Sequence, residues 1–183
     1  MDIQHDRAGY YICWGCMVWV PIIYTLHSYF LVNHPILLSM PTTALIIGCG
    51  LTCIYINYDC DRQRQIFRGS GGTEVAIWGA KPEYITATYR NKDTGKEHTS
   101  LLLLSGWWGT ARHFHYVPEI GAAFFWSCPA LFAYPLPYFY VFFLTILLFD
   151  RAWRDDARCG EKYGPYWVKY CKHVPHKVVP GII

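Results

Sequence analysis

Apolar residues gather in three blocks separated by polar, charged stretches. No Asp, Glu, Lys or Arg occurs over residues 8–33, nor over residues 34–58. A membrane-crossing helix needs about 20 apolar residues, so each block is long enough for one. His34-Pro35 between them is a tight uncharged break, and the pair predicts a helical hairpin. A third uncharged block, residues 120–149, is interrupted by Pro129, Pro135 and Pro137. Extended back to Arg112 and forward past Asp150, it predicts a second hairpin broken near residues 134–137, because Pro-Leu-Pro is a poor helix interior and a good turn. One long kinked span with a buried segment is the other arrangement the pattern allows. Between the hairpins, residues 83–89 alternate, residues 91–95 (Asn-Lys-Asp-Thr-Gly) form a turn signature, and an extended run from His98 enters Leu101 to Leu104, which predicts a small β-hairpin. The expected fold class is an all-α integral membrane protein with about four transmembrane helices in two hairpins, 1–58 and 105–158. A cytosolic loop, 59–104, carries the β-hairpin, and 159–183 forms a cytosolic tail.

Composition supports the membrane reading. Of 183 residues, 53% are hydrophobic and only 16% charged, well below the roughly 25% of an average soluble domain. That excludes a disordered chain, and a net charge of +3 gives no case for nucleic acid. Residues 59–100 hold Arg62, Arg64, Arg68, Lys81, Arg90, Lys92 and Lys96, and seven further Lys and Arg follow Phe149, whereas neither hairpin tip carries any. Both basic segments are therefore expected in the cytosol. Asp2, His5, Asp6 and Arg7 make a poor start for a signal peptide. The eight cysteines lie in apolar blocks or on the reducing side, so no disulfide framework is expected, and Cys13-x-x-Cys16 stands without a second pair.

Familiar soluble chemistry is missing. Gly69-Ser-Gly-Gly72 has the wrong spacing for a dinucleotide fold, and neither a phosphate-binding loop nor a zinc-protease motif occurs. His113 and His115, two apart, would splay across a helix rather than share a metal. Arg64 and Arg68 are four apart and fall on one face if the second helix continues past the membrane surface. They face the same compartment as Arg112, Arg154, Arg158 and Lys162, and Asp155, Cys159 and Lys162 recur at helical spacing, followed by Tyr163 and Tyr170. Such cations and rings suit a large phosphorylated cofactor; gripping anionic lipid headgroups is the alternative use. Glu119 is either a functional intramembrane acid or an ordinary first-turn helix acid. His27 and His34 read as interfacial residues at the luminal end.

Four strings carry a resemblance: MDIQHDRAGYYICWGCMVWVP at 1–21, INYDCDRQRQIFR at 56–68, LLLSGWWGTARHFHYVPEI at 102–120 and LLFDRAWRDDARCGEKYGPYWVKYC at 147–171. In that order the chain resembles the carboxyl-terminal half of the sterol reductase family, closest to its plant-type sterol 7,8-double-bond reductases. The family's members are ten-helix proteins of the endoplasmic reticulum membrane, and this chain is similar to about their last four helices.

The resemblance implies an NADPH-dependent oxidoreductase of sterol biosynthesis, reducing the 7,8 double bond of 5,7-diene sterols by adding a proton and a hydride. Its expected partners are the sterol, the lipid bilayer, and the preceding helices or other sterol-biosynthesis enzymes. A non-catalytic chain that binds NADPH or sterol, or complements another half, is the second expectation. Matched motif by motif, the cofactor residues are Arg64 and Arg68 at the basic pair, then Leu103, Trp108, His115 and Tyr116. Asp155, Cys159, Gly160, Glu161, Lys162, Tyr163 and Tyr170 follow in the tail. His115 stands where the animal pattern has Asn, and His176-Lys177 where it has Tyr-Arg. No residue is assigned as proton donor; His5 and Asp6 could relay a proton or cap the first helix. Trp107 and Trp108 could shape the nicotinamide site or anchor the interface, and the aromatic run 138–143 reads as lipid-facing, with one face available to a sterol cavity.

Overall fold

The computed structural model describes residues 9–72, 75–90 and 95–182. His5, Asp6 and most of the 91–95 turn signature lie outside them. Helix α1 (Tyr10–Trp14) runs through a π-helical turn (Gly15–Trp19) into α2 (Val20–Asn33) without a break. The widened turn sits just before Pro21, whose ring would otherwise meet a carbonyl one turn back. Ser39 caps α3 (Met40–Gly69), its Oγ accepting from the Thr42 amide at 3.3 Å, and Pro41 occupies the first turn. At 1.5 Å per residue the 30 residues of α3 reach about 45 Å, beyond a hydrocarbon core of about 30 Å, so its basic end stands clear of the bilayer.

Three described helices are long and apolar enough to cross a membrane, Gly15–Asn33, Met40–Gly69 and Leu136–Tyr163, in place of the four crossings expected. The expected third crossing forms only α5 (Tyr116–Ser127), 12 residues or about 18 Å, after the short α4 (Trp107–Thr110). Pro129 converts the next turn to 3-10 geometry, and Leu131 and Phe132 adopt positive φ before Pro135 and Pro137 lead into α6 (Phe139–Tyr163). The break near residues 134–137 is therefore where the prolines put it. Helix α5 lies close against α3: a Cβ on Gly121 would come within 2.9 Å of Cys53 Sγ, and Gly50 faces Phe125 at 3.6 Å.

Strands β1 (Tyr84–Arg90) and β2 (Glu97–Leu103) pair antiparallel, Tyr84 opposite Leu103 and Arg90 opposite Glu97. Alternation gives this ribbon two buried faces. Tyr84, Leu101 and Leu103 pack with Phe67, Ile77 and Trp108 at the overhanging end of α3. Ile85, Ala87 and Leu102 pack with Tyr170 and Val174 of α7 (Pro165–His173) and the residue that follows it. The tail then folds back. Arg112 donates from its amide to His176 O at 3.0 Å and from Nη1 to Val174 O at 2.7 Å, while Lys177 pairs with Asp156 at 3.2 Å.

Candidate functional site: a cationic cleft above an apolar cavity

The overhang of α3 carries the first wall. Arg64 and Arg68, one turn apart, lie on the face turned toward the β-ribbon. Arg64 pairs with Asp61 at 2.7 Å and covers the Trp108 ring at 4.5 Å; Arg68 is exposed, without an ion-pair partner among the described residues. The Ser-Gly-Trp-Trp segment crosses beneath them. Trp108 is buried and donates from Nε1 to Cys60 O at 2.9 Å, while Trp107 donates to Asp59 at 2.9 Å. Gly106 makes the turn possible at φ +65° and ψ −146°, a region essentially closed to other residues.

The opposite wall comes from α6 and α7. Asp155, Cys159 and Tyr163 repeat every four residues and share one face of α6. Asp155 pairs with Arg158, and Cys159 Sγ lies 3.8 Å from its carboxylate. Tyr170 is buried, its hydroxyl donating to Trp108 O at 3.4 Å, and burial holds its phenol above the usual range.

Together these walls enclose a cleft of about 1310 Å³. Ten of the thirteen residues expected at a cofactor line it: Arg64, Arg68, Leu103, Trp108, His115, Tyr116, Asp155, Cys159, Tyr163 and Tyr170. Gly160, Glu161 and Lys162 do not. Gly160 is near Trp167, and Lys162 is held 4.4 Å over the Tyr89 ring, against the β-ribbon. Helical spacing linked Lys162 to Asp155, but it is Tyr163 that continues the 155–159 face.

Sequence reasoning missed His113, Arg151 and Trp167, and named Arg112, Arg154 and Arg158 only as nearby cations; all six line the cleft. Arg151 was findable, one turn before Asp155. His113 was set aside on the premise of a helix, yet residues 112–115 form a turn and both imidazoles face the cleft, 6.2 Å apart. His113 stacks on Tyr116 at 5.4 Å, and His115 lies 5.1 Å from Trp108. Burial lowers the His113 pKa against the pull of Asp155 and Asp156. Burial, then His113 and Arg64, push His115 down to about 3, so it is neutral at physiological pH. Among the described residues no group of three potential metal ligands occurs.

The charge balance says what the cleft can hold. Its lining carries six arginines, 64, 68, 112, 151, 154 and 158, against three acids, Asp61, Glu119 and Asp155, while Arg112 and Arg154 also pair with Asp156 and Asp150 outside it. Flat rings of Trp108, Tyr163 and Trp167 interleave with them. An extended polyanion with aromatic rings fits such a lining.

A second cavity, of about 720 Å³, lies between α2, α3, α5 and α6. Its walls are mostly apolar, including Ile54, Ala122, Ala123, Trp126 and Tyr140, the last from the aromatic run on α6. Asp61 and Glu119 line both spaces. His27 also lines it and is 3% exposed.

Residues 1–183 match the ergosterol biosynthesis ERG4/ERG24 family. The chain is 60% identical over 182 residues to the 7-dehydrocholesterol reductase of Arabidopsis thaliana, an alignment covering all of this chain and 42% of that protein. It is 40% identical over 182 residues to the 7-dehydrocholesterol reductase of Xenopus laevis, covering all of this chain and 38% of that one. Against the Delta(14)-sterol reductase of Methylotuvimicrobium alcaliphilum it is 39% identical over 181 residues, 99% of this chain and 40% of the other. The chain thus spans about two fifths of the length of the curated relatives it matches.

Proposed function

The chain belongs to the ergosterol biosynthesis ERG4/ERG24 family, and from that premise we propose that it forms the cofactor-binding part of an NADPH-dependent reductase acting on the 7,8 double bond of 5,7-diene sterols. It does so as a multi-pass protein of the endoplasmic reticulum membrane. The observation that carries this reading is the cleft with six arginines against three acids, opening beside a mostly apolar cavity. When bound, NADPH supplies the hydride of the reduction. Arg64 and Arg68 hold its phosphates, the ribose phosphate included, which favours NADPH over NADH because the latter leaves a cation uncompensated. Trp108, Tyr163 and Tyr170 offer ring faces and edges, and neutral His115 offers one donor and one acceptor.

The apolar cavity suits the sterol, and the boundary between the two spaces is where both reactants meet. Two acids stand there. Asp61 is already engaged, tied to Arg64 at 2.7 Å. The Glu119 carboxyl makes no hydrogen bond among the described residues, and burial raises its pKa against the pull of Arg151. Of the two, Glu119 is the one suited to keep a proton for the alkene. A second reading rests on the chain's span of about two fifths of its relatives: a polypeptide that binds cofactor or sterol, or completes another, without turnover. Membranes carrying the chain, supplied with NADPH and a 5,7-diene sterol, separate the two. Loss of the diene ultraviolet bands supports the reductase, and unchanged bands with measurable NADPH binding support the second reading.

A further inference from the structure

His27 sits on α2 with 3% of its surface exposed, and among the described residues neither ring nitrogen has a hydrogen-bond partner. Buried polar groups are nearly always partnered, so an imidazole with two unmet nitrogens beside a cavity points to something that meets at least one of them. Of the other polar groups around the cavity, Glu119 stands at the acidic boundary, Gln65 and Tyr58 are exposed, and three more are already engaged. Asp61 pairs with Arg64, Arg62 with Asp59, and Asn57 donates to His115 O at 3.4 Å. Trp126 stands edge-on to the imidazole, ring centres 5.5 Å apart at 85°, and fixes its plane. A neutral imidazole presents one donor and one acceptor on opposite edges, and a hydroxyl can pair with either of them, as donor or as acceptor.

The rest of the cavity limits what can carry that hydroxyl. Between His27 and the acidic boundary the wall is Ala123 and Ala122 on one helix and Ile54 on another, small or apolar side chains facing about 720 Å³ of space. Trp126, beside His27, is seven residues along α5 from Glu119, about 10 Å at 1.5 Å per residue. A rigid, fused-ring alcohol whose hydroxyl meets His27 would lay its first rings along Ala122 and Ala123 and bring the following ring to the boundary at Glu119.

We infer that His27 reads the hydroxyl of the polycyclic alcohol that occupies the second cavity and thereby sets how deep its rings lie. On the sterol reading above, on which this rests, that group is the 3-hydroxyl, and His27 is a specificity-determining residue rather than a catalytic one.

The test is binding, so turnover is not needed. The chain is placed in lipid nanodiscs and titrated with a fluorescent polyene sterol and with its 3-deoxy counterpart, with NADPH binding followed alongside. The wild type is expected to bind the hydroxylated form about tenfold more tightly, the worth of one good neutral hydrogen bond. His27→Leu should bind both forms equally, at the 3-deoxy level, while His27→Gln keeps part of the preference and NADPH binding stays unchanged. His27→Phe, which retains an aromatic ring against Trp126, replaces the leucine variant if that one does not assemble. A tenfold preference surviving in the apolar variant overturns the inference and moves the hydroxyl to the Asn57 and Gln65 end. Equal binding of both forms by the wild type also overturns it while leaving the sterol reading intact. If the wild type binds neither form, the sterol reading falls with it.

Discussion

Gly106→Ala is the substitution with the most to say about how the cleft is held. At φ +65° and ψ −146° an alanine is strained by about 1–3 kcal/mol before any contact is considered. Its Cβ would also fall 2.2 Å from Gln63 Oε1 and 2.6 Å from Ile77 Cγ2. Gln63 is not free to move: it is buried, donates to Asp59 at 2.7 Å and accepts from the Trp107 amide at 3.2 Å. Displacing it leaves buried partners unmet, at about 1–3 kcal/mol. Together the loss is on the order of 4 kcal/mol, an apparent melting temperature lower by about 10 °C for a chain of this size. Because Trp107 and Trp108 hang from the same turn, the NADPH affinity of the folded fraction should fall as well. Gly48→Ala is the control: its Cβ meets nothing within 4 Å in the middle of α3, so it should be neutral or stabilising by up to about 1 kcal/mol. Thermal melts of the purified protein in detergent, read by ligand-protected cysteine labelling, decide the matter. A Gly106→Ala variant melting within about 2 °C of the wild type would refute the reasoning.

Three other outcomes are expected. Arg64→Ala with Arg68→Ala should weaken NADPH by about a hundredfold and NADH far less, as two charge-assisted contacts are lost from one phosphate; equal weakening in titrations of both nucleotides would remove these residues from the ribose phosphate. The depressed His115 pKa means the unfolded chain binds a proton that the folded chain refuses, so stability falls as pH drops from about 6.5 toward 3. By pH 5 the loss is about 2 kcal/mol, the buried His113 adding in the same direction, and His115→Asn should flatten most of this limb in melts across pH. Glu119→Gln should slow loss of the diene bands by at least about a hundredfold with NADPH affinity unchanged, whereas Asp61→Asn, by releasing Arg64, should show itself first in NADPH affinity. The reverse pattern would reassign the proton.

How far the sequence could be read depended on what each signal measures. Uncharged length located α2 and α3, although α2 packs on α6 and α3 on α5 rather than on each other as the expected hairpin would; alternation located β1, and the turn signature with the extended run located β2. The third block misled because lack of charge says nothing about helical continuity, and Pro118, Pro129, Pro135 and Pro137 left only 12 helical residues in α5. Four-residue spacing gave Arg64 with Arg68 and Asp155 with Cys159. It failed for Lys162, whose ammonium is drawn over the Tyr89 ring of the β-ribbon, a contact that spacing along one helix does not show. His113 and Arg112 were hidden because they lie in a turn whose direction is set by the returning tail at His176 and Lys177, a contact across more than sixty residues. The burial of His27 was likewise unreadable, since Trp126 reaches it from another helix.

The arrangement also explains why a charged cleft and an apolar cavity share one boundary. Helix α3 outruns the bilayer by about three turns, and that overhang is where its sequence changes from Ile and Tyr to Asp61, Arg64 and Arg68. The β-ribbon, which cannot be stable alone, fills the angle between the overhang and α7 by burying one face on each. What is left between ribbon, overhang and α6 is a water-facing space ringed by arginine; what is left below, where the short α5 stops before the far side, is an apolar one. Because α5 begins at Tyr116 in the upper space and reaches Trp126 in the lower, Glu119 in its first turn falls at the boundary by helical geometry alone. On the proposed reading, that boundary is where a water-soluble anion from the upper space and a membrane-soluble alcohol from the lower one meet.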